Sequence, residues 1–261
     1  MWQLSFTFIR TNGYKPIIMP EITKNQLKHI RLLRQKKYRQ QYGEFVVEGE
    51  KNVDELINSN LKINHLFATN DWENSQQFAE AISLSNKELT QISNLSTPNK
   101  VIAIAKIPEF DFDLKELNKG LTLVLDKIND PGNLGTIIRS ADWFGVKHII
   151  CSPDSVDCYN PKVVQSTKGS IANVQIHYLD LNEILTKTDV PIYGAAMEGK
   201  KITKDFSFAN PSILLMGSES HGISTELENL LNHKITIPKQ GKAESLNVAI
   251  ATSILLHHFN S

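Results

Sequence analysis

The chain has 261 residues, 41% of them hydrophobic, and its 28 basic side chains balance 28 acidic ones. Such a composition excludes a disordered polymer and allows one large domain or two modest ones, each with its own core. Zero net charge gives no global attraction for nucleic acid, so any such affinity has to come from local patches.

The first 20 residues lack a basic region followed by a sustained apolar stretch, so they do not read as a signal peptide. Met19 directly precedes the first patterned segment, and residues 1–18 read as a loose tail or an over-extended start. Residues 23–42 carry a helical pattern, with Leu27, Ile30 and Leu33 at helical spacing. The same stretch holds Lys24, Lys28, Arg31, Arg34, Lys36, Lys37 and Arg39, with no acidic residue until Glu44. This run is either a solvated helix face or a phosphate-contacting one. A strand at 44–47, a helix at 51–58, a strand at 63–68, a weaker helix at 75–81 and an apolar run at 101–105 complete a small α/β module. The acidic, aperiodic segment 107–116, with Pro108, reads as a linker.

Beyond it the alternation is cleaner. Strands are expected at 121–125, 148–151, 191–196, 213–216 and 235–237, and helices at 134–144, 161–167 and 246–258. Strands alternating with helices imply a parallel sheet covered on both faces. Cys151 and Cys158 form neither a CxxC pair nor a Cys/His cluster, which argues against zinc or any other metal and for free thiols in a reducing cytoplasm. No apolar run approaches the ~18 residues of a membrane span.

Ligands of open α/β sheets bind beyond the carboxyl ends of strands. Three such ends stand out here: DKINDPGNLGT from Asp126, GSESHG from Gly217, and the loop from Pro238 that leads through Glu244-Ser245-Leu246-Asn247 into the last helix. None contains GxGxxG or GxxxxGK[ST], which disfavours a dinucleotide-dependent dehydrogenase and a nucleotide hydrolase. Singly, each could be only a turn, a chain reversal or a helix cap.

Together, NDPGNLGTIIRSADWFGV, LLMGSESHGI and ITIPKQGKAESLNVAIA resemble, in order, the three motifs of the SpoU (TrmH) branch of the SPOUT methyltransferases. The resemblance covers about residues 121–259. The earlier KKYRQQYGEFVVEGEKNVDEL is similar to the substrate-binding domain often fused to these enzymes. The implied division is a substrate-binding domain at 19–107 with a ribosomal-protein-like RNA-binding fold, a linker at 108–117, and a SPOUT domain with a trefoil knot at 118–261. The implied activity is S-adenosyl-L-methionine-dependent methylation of a ribose 2′-hydroxyl in RNA by a homodimer, with ribosomal RNA favoured over transfer RNA. A non-catalytic RNA-binding protein of the same fold is the competing reading, and a small-molecule methyltransferase a third.

By motif position the resemblance assigns Gly217, Ile237 and Leu246 to the cofactor, with Ser218, Ala196 and Met197 at neighbouring strand ends as secondary contacts. A glycine suits position 217 if a ligand approaches the backbone there. It assigns catalysis to Arg139, supported by Asn133, Asn247 and Ser245, with Asn133 orienting Arg139 or a substrate oxygen. Glu219, Lys36, Lys37 and Arg39 fall to the RNA substrate. In the family this arginine is proposed to contact phosphate and to help deprotonate the ribose hydroxyl. Because guanidinium is a very poor base, positioning is the safer role. His221 is attractive because imidazole titrates near neutrality, but the family pattern does not require it. The segment from Asn160 to Val164 also matches, whereas Gln165 and Lys168 replace residues that are often arginine and methionine.

Overall fold

A computed structural model describes residues 20–74, 78 and 80–259. The proposed tail at 1–18 lies outside the described residues, as does most of the helix expected at 75–81. The chain divides into two compact units, one reaching to Pro108 and including Tyr159–Ala172, the other formed by Glu109–Cys158 and Asn173–Ser261.

The first unit is built on a four-stranded sheet, in the order β1 (Glu44–Glu48), β4 (Val101–Lys106), β2 (Ile63–Ala68), β3 (Ile82–Ser83). β4 runs antiparallel to both neighbours, and β3 joins β2 in parallel. Alternation along the strands feeds two cores. Phe45, Val47 and Ala103 meet Val53 and Leu56 of α3 (Glu50–Ile57) and Val164 of α6 (Pro161–Thr167). Val46, Ile102 and Ile104 meet Ile30 of α1 (Lys24–Leu32) and Leu89 and Ile92 of α4 (Asn86–Ile92).

The single helix expected over 23–42 is two. Thr23 opens α1 with a capping box, Leu33 closes it, and α2 (Lys36–Tyr42) starts after Gln35 adopts an extended conformation. The cause is Arg39. It is only 2% exposed, and its Nη1 donates to the carbonyls of Leu33 (2.9 Å) and Arg34 (2.8 Å) that the break releases. Helix α4 was not anticipated, although Ser85 and Glu88 form the capping box their spacing advertises.

The second unit is a six-stranded, wholly parallel sheet in the order β10 (His233–Thr236), β8 (Ile192–Lys201), β9 (Ser212–Met216), β5 (Leu121–Leu125), β6 (His148–Cys151), β7 (Gln175–Tyr178). The α/β class with a parallel sheet is as expected. The strand β7 and the short helices α7 (Leu181–Leu185) and α8 (Thr225–Glu228) were not foreseen. Val124, Ile150, Ile213 and Leu215 pack with Leu181, Leu185 and Leu227 in one core. Helices α5 (Pro131–Trp143) and α9 (Val248–Phe259) lie together, with the hydroxyls of Ser140 and Ser253 2.7 Å apart.

Cys151 and Cys158 are free and buried. Burial pushes the Cys151 thiol up to about 12 and Cys158 well above its ordinary value, so neither is a ready nucleophile. Among the described residues no group of three His, Cys, Asp or Glu could hold a metal ion, and no helix is long and apolar enough to cross a membrane.

Candidate active site at the strand ends

Two features set the site at the carboxyl edge of the parallel sheet. Strand β5 is followed by Asp126, whose backbone N–H donates to Met216 O at 2.9 Å and whose buried carboxylate accepts from Ser224 N–H at 2.7 Å. Asp126 thereby ties the loop after β9 to the end of β5, a task its presence in the first motif did not reveal. Its position at the end of an apolar strand was the available signal.

The loop after β9 is tight: Ser218 and Gly222 exchange backbone hydrogen bonds of 3.0 and 2.9 Å. A Cβ at position 217 would overlap the backbone of Gly222 and Ile223. Glycine is thus required at 217 whether or not a ligand also approaches the backbone there. The chain's own return already demands it.

Strands β8 and β9 pair as far as Gly194 with Leu215, so Ala196 of β8 and Gly217, just past β9, fall at the same level beyond the last paired residues. The register of β8 against β10 then jumps, from Gly194 opposite Lys234 to Lys200 opposite Ile235. Residues 195–199 form the resulting excursion, which carries Ala196 and the exposed Met197. Thr236 Oγ1 donates to Met197 O at 3.2 Å, which holds that excursion beside Ile237.

The three motif loops meet in a chain of side-chain hydrogen bonds. Asp130 caps α5, accepting from Asn133 N–H at 2.8 Å, with Pro131 in the first turn. Asn133 Nδ2 donates to Glu219, and Asn133 Oδ1 accepts from Asn247 Nδ2 at 2.9 Å. Asn247 Oδ1 in turn accepts from the backbone of Ala249 (2.9 Å) and Ile250 (3.3 Å). The direction is forced. A carboxylate only accepts, so each amide must point its nitrogen toward Glu219 and its oxygen toward α9.

This chain corrects one expectation and narrows another. The last helix begins at Val248 with Asn247 as its cap, so Leu246 and Ser245 precede it, exposed, instead of opening it. Asn133 is bonded to Glu219 and Asn247, not to Arg139. Arg139 stands on the exposed side of α5, where among the described residues no hydrogen bond or ion pair holds its guanidinium.

In the first unit Lys36 and Lys37 are exposed, whereas Arg39 is withdrawn from any substrate by its burial beneath the helix break. Gln165, at the place where the resemblance often has arginine, accepts from Asn52 Nδ2 at 2.9 Å. Lys168 closes α6 in the left-handed region.

Residues 120–257 match the model of the SpoU rRNA Methylase family, and residues 24–103 match the MRM3-like substrate binding domain. The 23S rRNA (guanosine(2553)-2′-O)-methyltransferase RlmP of Bacillus subtilis is 28% identical over 245 residues, 91% of this chain and 97% of that one. A solved structure of a TrmH-family protein from Porphyromonas gingivalis is 36% identical, with a TM-score of 0.80 over 91% of this chain and 98% of the other. The SpoU methyltransferase AviRb of Streptomyces viridochromogenes, solved with AdoMet, is 26% identical with a TM-score of 0.80, over 91% and 97%. With its second half matched along nearly its whole length, the chain belongs to the SpoU rRNA methylase family.

Proposed function

We propose that the protein is an S-adenosyl-L-methionine-dependent methyltransferase that modifies a ribose 2′-hydroxyl of ribosomal RNA in the cytoplasm. The observation that carries this reading is the hydrogen-bonded chain Glu219–Asn133–Asn247, which draws all three family motifs to one edge of the sheet. We take residues 19–107 as the RNA-binding domain, 108–117 as the linker and 118–261 as the methyltransferase domain.

The donor set fits the cofactor. Its adenosine and thioether parts call for apolar cover and backbone polar groups, and the strand ends offer both. Met197 and Leu246 leave large apolar surfaces open, and Gly217, Ser218 and Ile237 lie in irregular backbone beside them. Ala196 lines the same edge. When bound, the cofactor supplies a methyl group on a sulfonium with a good leaving group.

What remains for the chain's own residues is alignment and charge. Arg139, which has no partner among the described residues, receives a phosphate of the RNA and holds the ribose in place. The Asn133–Glu219 pair fixes the floor on which the hydroxyl rests, and Asn247 anchors that floor to α9. Ser245, exposed just before the cap, serves as an additional polar contact. Lys36 and Lys37 hold RNA phosphates on the first unit.

A homodimer completes the reading. The paired helices expose Trp143 (84%) on α5 and Ile250 and Ile254 on α9, an apolar surface unusual for a monomer. The trefoil knot belongs to the same proposal. It is supported by a chain that turns back tightly between Gly217 and Ile223, adds β10 at the sheet edge and returns through α9 beside α5.

The test is to map 2′-O-methyl marks in ribosomal and transfer RNA from cells with and without the gene. One ribosomal position should lose its mark, and calorimetry should show S-adenosyl-L-methionine binding. Loss confined to a transfer RNA would move the substrate, and no lost mark with no cofactor binding would leave an RNA-binding protein without this activity.

A further inference from the structure

The basic helices of the first unit do not present a uniform charged face. Arg31 donates through Nη2 to Gln91 Oε1 at 2.8 Å, and Arg34 donates to the carbonyls of Ile92 and Ser93, both at 2.9 Å. These two arginines close the end of α4, where carbonyls lack helical partners. Arg39 is buried beneath the helix break. What is left on α2 is Lys36 and Lys37, together with two tyrosines one turn apart.

The rings of Tyr38 and Tyr42 lie 6.3 Å apart and only 14° from parallel. Lys37 Nζ sits 4.7 Å from the centre of the Tyr38 ring. Tyr42 also meets the His29 ring in a T-shaped contact, at 4.7 Å and 73°. That histidine is in turn fixed by Glu44 at 2.6 Å, and the second oxygen of Glu44 accepts from Asn64, also at 2.6 Å. Both oxygens of the Glu44 carboxylate are thus engaged, by His29 and by Asn64. Gly43 turns into the left-handed region immediately after Tyr42, and a Cβ there would meet open space. The helix therefore ends at Tyr42, which remains 43% exposed although two rings contact it.

We infer that Tyr42, backed by Tyr38, is a stacking platform for an unpaired RNA base, with Lys36 and Lys37 holding the adjoining phosphates. A braced, exposed ring on the same short helix as two exposed lysines suits a base that carries charge on its backbone and none on its face. A base inside a duplex already has stacking partners on both faces, so this platform selects single-stranded or looped RNA. The inference rests on the reading that the first unit binds RNA, and it adds the form of RNA and the residues that choose it.

The test uses the full-length protein and two probes, a fluorescein-labelled single-stranded RNA and the same strand in a duplex. Anisotropy titrations compare the wild type with Tyr42→Ala, Tyr42→Phe and a Lys36→Ala/Lys37→Ala double variant, each checked for an unchanged circular dichroism spectrum. Tyr42→Ala should weaken single-strand binding roughly 5- to 100-fold, the worth of one stacked base, and leave duplex binding within about twofold. Tyr42→Phe, which keeps the ring, should match the wild type. The double lysine variant should weaken both probes and flatten the salt dependence for the single strand by about 1.4 in logarithmic slope. Unchanged single-strand binding by Tyr42→Ala, or an equal loss on both probes, would overturn the platform while leaving RNA binding in place. A wild type that binds neither probe would overturn the RNA reading itself.

Discussion

Asn247 Nδ2 donates to Asn133 Oδ1 at 2.9 Å, joining side chains 114 residues apart in one directional chain that ends on Glu219. If the two asparagines act as a unit, removing either should cost about as much as removing both. We expect Asn133→Ala and Asn247→Ala each to lower kcat/KM for methyl transfer at least about tenfold. The double variant should fall well short of the product, a coupling of roughly 0.5–3 kcal/mol. Strictly multiplicative losses in a double-mutant cycle would show that the contact carries no functional coupling.

Asn247 also caps α9, and the two jobs can be separated. Asp at this position still accepts from Ala249 and Ile250 but cannot donate to Asn133. Asn247→Asp should therefore keep the melting temperature of the wild type and lose transfer. Asn247→Ala should lose transfer and about 1 kcal/mol of stability as well. Thermal denaturation run beside the activity assay decides between them, and full activity in Asn247→Asp would remove the contact from the site.

Arg139 leaves α5 toward solvent with no partner among the described residues, so its substitution should spare the fold and the cofactor. Arg139→Ala should reduce kcat/KM for RNA by a factor on the order of 100, the scale of losing one well-placed electrostatic contact. Calorimetric binding of S-adenosyl-L-methionine should not change. Lysine should restore part of the loss, since it keeps the charge but not the forked geometry. Transfer unaffected by Arg139→Ala would place substrate alignment elsewhere.

His177 is nearly inaccessible, ringed by Phe112 at 4.9 Å and Phe110 at 6.1 Å and stacked on His148 at 5.6 Å. Burial, followed by the charge of His148, pushes its pKa down to about 4. In the unfolded chain it titrates near ~6.5. Between those values the unfolded chain takes up a proton that the folded chain refuses, so stability falls as pH drops through that window and is flat above it. The full effect is on the order of 3 kcal/mol. His148 shifts the same way through burial, opposed by Glu116. Melting curves taken from about pH 7 to pH 4 should fall less steeply for His177→Phe than for the wild type. Parallel curves would mean that His177 is not kept neutral by the fold.

Trp143, Ile250 and Ile254 present an apolar surface that a second copy would cover. A charge at Ile250 should disrupt that cover without touching the core. We expect Ile250→Glu to elute as a monomer in size-exclusion chromatography with light scattering, where the wild type elutes as a dimer. A wild type that is monomeric at high micromolar concentration would set the dimer aside.

The motif loops were legible because their chemistry is local: proline and glycine at turns, apolar strands before them and helices after them. Less could be read where distant residues decide the outcome. The break between α1 and α2 depends on Arg39 folding beneath carbonyls five and six residues earlier, while the hydrophobic spacing runs on as if nothing happened. The same burial took Arg39 out of a charge run in which it looked identical to Lys36 and Lys37. Asp126 read as one more polar residue in a loop, because its partner Ser224 lies 98 positions away. Gly217 reads as a close-approach glycine, but the backbone of Gly222 and Ile223 as one neighbour that requires it was hidden, since sequence cannot show where the chain returns.

The polar chain also says something about the order of folding. Glu219 and Asn133 are 86 positions apart, and Asn133 and Asn247 are 114 apart. Contacts that close loops of this length carry their entropic cost before they return any energy, so they are expected to form after the local helices and strands that hold them. The edge of the sheet that carries the three motifs is thus among the last parts of the second unit to take shape.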